Sequence, residues 1–143
     1  MSRVFEWVLK LVEMRRDRSV SQARRARQDY ARSREFTEQL NQYAAEYDKQ
    51  WSQVAQAGES VLQLRTSSAF GENLRGTARA QGQETDKLRE HSQKMLDKAL
   101  QDSRRVEAIE QYMAKQRAQR RAAREHRETK DLEDDLNARR ARR

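Results

Sequence analysis

The sequence predicts an all-α protein, a long antiparallel two-helix coiled-coil hairpin. Three observations lead there. Apolar residues recur at alternating steps of four and three from Phe5 to Val54. The chain of 143 residues has no proline and only four glycines. Apolar residues make up 35% and charged residues 38%, with a mean hydropathy of −1.27. A 3.5-residue repeat kept over this distance describes a helix with a narrow seam, and a narrow seam needs a partner helix. The missing proline permits long helices. A chain this polar does not bury the broad core of a compact domain, whereas paired helices need only the seam. Disorder is the competing reading for such a composition, but the apolar residues are periodic rather than scattered.

The first helix is expected over about residues 3–54, roughly 75 Å at 1.5 Å per residue. Its seam runs through Phe5, Leu9, Val12, Arg16, Ser19, Ala23, Ala26, Tyr30, Ser33, Thr37, Leu40, Ala44, Tyr47, Trp51 and Val54. The stretch from Arg16 to Ala26 is thin and should pair weakly. The stretch from Leu40 to Trp51 is thick and aromatic and should anchor the pairing.

The reversal is expected over about residues 55–66, around Gly58. Ser60, or a hydroxyl residue within Thr66–Ser68, is placed to cap the next helix. The second helix is expected over about 67–130. Its seam reads Leu74, Ala78, Gln81, Thr85, Leu88, Ser92, Met95, Ala99, Asp102, Val106, Ile109 and Met113, with Leu96, Leu100 and Tyr112 widening that face. Gly71, Gly76 and Gly82 fall early in it, where each costs about 1 kcal/mol relative to alanine. They mark either close backbone approach or a softer segment. After Met113 the seam fades, and residues 131–143 are expected to be a mobile basic tail. No repeat of solenoid length occurs, so the whole of 1–143 reads as one domain.

Composition also excludes classes of function. With no cysteine, disulfides and thiolate metal sites are impossible. The opening MSRVFEWVLKLVEM is too short, and too interrupted by Glu6, Lys10 and Glu13, to span a bilayer. A cytoplasmic location is the expectation. His91 and His126 have no second ligand at helical spacing, so a metal site is not supported. No phosphate-binding, dinucleotide-binding or nucleophile-elbow motif is present. Paired helices without a concave cavity do not desolvate acid–base pairs. The chain is therefore expected to be no enzyme and to need no cofactor.

The formal net charge is +8 and the pI near 10.2. The excess concentrates in Arg15–Arg34 and in Lys115–Arg127. Basic stripes suit nucleic acid, anionic lipid or an acidic protein surface, or are simply solvated helix faces. A second feature is apolar. Leu40, Tyr43 and Tyr47 share one helix face, and Phe70 and Leu74 share another. A turn near Gly58 sets these two groups at similar distances on either side of it. They form either ordinary hairpin core or an aromatic patch left uncovered for a partner.

The run LNQYAAEYDKQW resembles the L-x-x-Y-x-x-[ED]-Y signature of the flagellar export protein FliJ family. The basic opening VLKLVEMRRDRSVSQARRARQDY, the F-x-x-x-L of Phe70 and Leu74, and the closing REHRETKDLEDDLNARR are similar to that family in order and spacing. The stalk proteins of virulence-type secretion systems are the nearest confusable group. The resemblance implies a non-enzymatic component of the type III export apparatus: a rotor-like stalk between a hexameric export ATPase and the membrane export-gate protein FlhA, which also engages export chaperones. Carried over by motif, Leu40, Tyr43, Tyr47, Phe70 and Leu74 are the candidate gate-contact residues. By charge and position, Arg117, Arg120, Arg121 and Arg124 are the candidate ATPase contacts. The resemblance implies peripheral association with the inner face of the cell membrane through these partners, and no nucleic acid. The alternatives are a basic coiled coil that binds nucleic acid and a structural scaffold. The acidic residues Asp17, Asp29 and Glu35 interrupt the first basic run and weigh against nucleic acid.

Overall fold

The computed structural model describes residues 2–58 and 60–142. Two α-helices hold nearly all of them: α1, Ser2–Gln56, and α2, Val61–Ala141. No strand occurs among the described residues. The all-α hairpin class is as the sequence predicts.

The α1 seam follows the expected repeat. Each seam position from Phe5 to Val54 is buried or half-buried, and the positions between are exposed apart from Glu13. The α2 seam from Leu74 to Met113 is likewise withdrawn from solvent. Leu96 and Leu100 do not widen it and are 53% and 47% exposed, whereas Tyr112, 46% exposed, does, with its ring on Phe5. One partner helix covers only the two seam positions per heptad, so the flanking positions stay in water.

The reversal is tighter than expected. The Ala57 amide donates to the Val54 carbonyl at 3.0 Å and the Gly58 amide to the Ala55 carbonyl at 3.4 Å. Gly58 then takes φ +84°, a left-handed conformation that ends helices at low cost only for glycine. Ser60 caps α2. Its Oγ accepts from the Gln63 amide at 3.4 Å, and its carbonyl accepts from the Leu64 amide at 3.1 Å. The second helix therefore begins at Val61 rather than near residue 67. Leu64, Ser67 and Gly71, none of them exposed, carry the seam back to that start. At its other end α2 runs to Ala141 rather than to about 130. No proline or glycine follows Gly82, and Arg139 and Arg140 in the last turn suit the helix C-terminus.

The chain divides into two compact units. Unit 2 is Asp17–Leu100, which contains the reversal. Its two helix segments run antiparallel, with Ser33 against Thr85 and Tyr47 against Phe70. Its buried positions are small: Ala26, Ala44, Ala78 and Ala99, with Ser19, Ser33 and Thr85. A hydroxyl layer crosses its seam. Thr85 Oγ1 lies 2.7 Å from both Ser33 Oγ and Thr37 Oγ1, and Gln81 Nε2 donates to Ser33 Oγ at 3.1 Å. Among the described residues, no buried side-chain nitrogen or oxygen lacks a hydrogen-bond partner.

Unit 1 is Met1–Arg16 with Gln101–Arg143. Phe5 packs on Tyr112 with ring centroids 5.1 Å apart. Val106 is its most buried side chain. Asp102 is buried and ion-paired with Arg105 at 3.3 Å and Arg15 at 3.7 Å, which a buried carboxylate requires. From Arg117 to Arg142 every residue is exposed. The α1 segment of this unit is short, and α2 continues past it as a solvated helix.

Candidate functional site

Two surfaces merit attention, one in each unit. In unit 2, α1 supplies Leu40, Tyr43 and Tyr47, and α2 supplies Phe70 and Leu74. Tyr47 is the centre. Its ring lies 4.9 Å from Phe70 at 59° and 6.2 Å from Trp51 at 55°, tilted pairs of the kind worth about 0.5–1.5 kcal/mol beyond area burial. Its hydroxyl donates to the Ser67 carbonyl at 3.2 Å. A Cβ on Gly71 would stand 3.4 Å from Tyr47 Cε1. The bare glycine lets the ring lie close against the α2 backbone.

The five residues divide into supporting and presented side chains. Leu40, Tyr47 and Leu74 are half-buried in the seam. Phe70 is 48% exposed and Tyr43 is 53% exposed. Tyr43 lies one helical turn before Tyr47 on α1. Core and patch are thus combined: the seam residues fix the position of two rings that water still reaches. An ion pair between Arg75 and Asp48, at 2.7 Å, links the two helices beside them. Trp51, Ser67 and Gly71 belong to this cluster and were not singled out as site residues. Gly71 had a readable signal, since it sits one seam step before Leu74.

In unit 1, Arg117, Arg120, Arg121 and Arg124 are all exposed on α2. Their spacing places them on one helix face. Arg117 and Arg120, with Glu6, line an open cleft of ≈ 390 Å³ floored by Phe5, Leu9, Tyr112 and Met113. Gln116 Nε2 donates to the Tyr112 hydroxyl at 2.9 Å within it. The floor is apolar, and the two arginines outnumber the one carboxylate at its rim.

Among the described residues no cluster of three or more His, Cys, Asp or Glu could hold a metal ion. No helix among them is long and apolar enough to cross a membrane. Against known proteins, residues 1–143 match the family described as flagellar FliJ protein. No curated protein and no solved structure matches the chain.

Proposed function

The chain belongs to the flagellar FliJ family, a non-catalytic group of flagellar export components, and on that premise we propose that it is the stalk of the export apparatus. In this reading the unit 2 patch of Leu40, Tyr43, Tyr47, Phe70 and Leu74 meets the membrane export-gate protein FlhA. The unit 1 arginines Arg117, Arg120, Arg121 and Arg124 meet the export ATPase hexamer. Export chaperones engage the same protein, and these partners hold it at the inner face of the cell membrane.

One observation carries the reading. The Tyr47–Phe70 contact spans the two helices and leaves Phe70 and the neighbouring Tyr43 half in water. Interface energy concentrates in aromatic anchors that are held in place before binding. The arginine face supports the second contact, because exposed cations steer association with an acidic surface. The test uses the full chain. Tyr47→Ala and Phe70→Ala are expected to keep the helical content and to abolish capture of FlhA. If both variants capture FlhA as the parent does, the patch is not the gate contact.

A further inference from the structure

Over residues 117–142 of unit 1, α2 is exposed on every side. Among the described residues, none of its charged side chains there takes part in an ion pair. A helix in water owes most of its stability to packing one face on a partner. Two patterns along this stretch point to what that partner is. The first is a second heptad seam, Ala118, Ala122, Glu125, Thr129, Leu132 and Leu136, at alternating steps of four and three. Helical spacing turns it away from the Met113 side that meets α1. Leu132 and Leu136 on it are 64% and 52% exposed. The second pattern is charge in blocks. Residues 115–127 hold six basic residues and one acid, and residues 128–135 hold five acids and one base.

We propose that this stretch docks a second copy of the chain, antiparallel, over about residues 114–140. Reversal lays the basic block of each copy on the acidic block of the other. A partner of a single sign would be repelled by one block or the other along the same length. The seam matches itself in size as well. With Leu132 set against Ala122 of the second copy, Leu136 falls against its Ala118, large on small at both ends. The middle layers set Thr129 against Glu125, polar positions of the kind that fix register at a cost in stability.

The flanks follow from the geometry that joins Asp48 to Arg75 across the helices of unit 2 at 2.7 Å. In the same geometry Arg121 meets Glu128 of the second copy, and His126 meets its Glu133. Each pair occurs twice, because the contact is isologous, and no flank position meets its own sign. The overlap also uses only the part of α2 beyond α1, so the paired helices of each copy do not collide. The self-association does not rest on the stalk reading. Its consequence does: a paired copy has Arg121 engaged and cannot offer it to the ATPase.

The test is sedimentation equilibrium of the full chain alone. Few layers and two polar ones imply a dissociation constant on the order of 10 μM, rising with salt. Leu132→Ser with Leu136→Ser is expected to raise it about 10-fold or more. Arg121→Glu sets like charges together and is expected to do the same, whereas Arg121→Glu with Glu128→Arg is expected to return within about 3-fold of the parent. These two residues stand a heptad apart on their own helix, out of contact within one chain, so rescue reports the second copy. The chain has no cysteine, so Ala141→Cys carries a single spin label. An antiparallel pair centred near residue 127 sets the two labels about 40 Å apart, and a parallel pair sets them within about 25 Å. Three results would overturn the proposal: a monomer throughout, a loss at Arg121→Glu that Glu128→Arg leaves unrescued, or the short label distance.

Discussion

Gly58 and Gly76 are the same residue type in opposite circumstances. Gly58 holds φ +84° at the reversal, where a Cβ strains the backbone even though open space surrounds it. Gly76 lies inside α2, and a Cβ there meets nothing within 4 Å. Gly58→Ala is therefore expected to cost about 1 kcal/mol, and Gly76→Ala to add about 0.5–1 kcal/mol of stability. Urea unfolding of the two variants should give shifts of opposite sign. The role of Gly58 was legible in the sequence, because it stands between two periodic helices. Gly71, Gly76 and Gly82 looked alike there. In the structure they differ by what a Cβ would meet: Tyr47 Cε1 at 3.4 Å for Gly71, Thr37 Cγ2 at 4.0 Å for Gly82 and nothing within 4 Å for Gly76.

Helix pairing in unit 2 depends on a seam that is largely small and polar. In the hydroxyl layer Thr85 Oγ1 contacts Ser33 Oγ and Thr37 Oγ1, while Ser33 Oγ also accepts from Gln81 Nε2 and Thr37 Oγ1 also donates to the Ser33 carbonyl. Thr85→Val removes one contact from each of the two hydroxyls and is expected to cost about 1 kcal/mol. Joining it with Ser33→Ala and Thr37→Val is expected to cost less than the sum of the three single losses, because the three side chains contact one another. Thermal unfolding checks this, and additive losses across the three substitutions would contradict it. The α1 seam could be read in full from its repeat, down to the buried serines. The start of α2 could not, because Ser60 and Thr66–Ser68 offered equivalent caps and only the Ser60 hydrogen bond separates them. Its end was misplaced for another reason. Beyond Arg117 the seam stops, while helix propensity continues the helix without a partner.

For the molecule as a whole, the sequence already separated an aromatic region near the turn from a basic region toward the C-terminus. The structure places these in different units, so their partners should be separable. Arg120→Glu with Arg121→Glu is expected to weaken binding to the export ATPase at least about 10-fold and to flatten its salt dependence, with FlhA capture unchanged. A binding assay at two salt concentrations checks both. The family was legible only through motif order, since helical periodicity describes a surface and not its occupant. The gate contact is tested most directly by photo-crosslinking in cells that assemble flagella, from residues introduced at positions 43, 70 and 77. FlhA adducts are expected from 43 and 70 and none from 77, an exposed position of α2 outside the patch. Silence at both aromatic positions, or an equal yield from 77, would contradict the account.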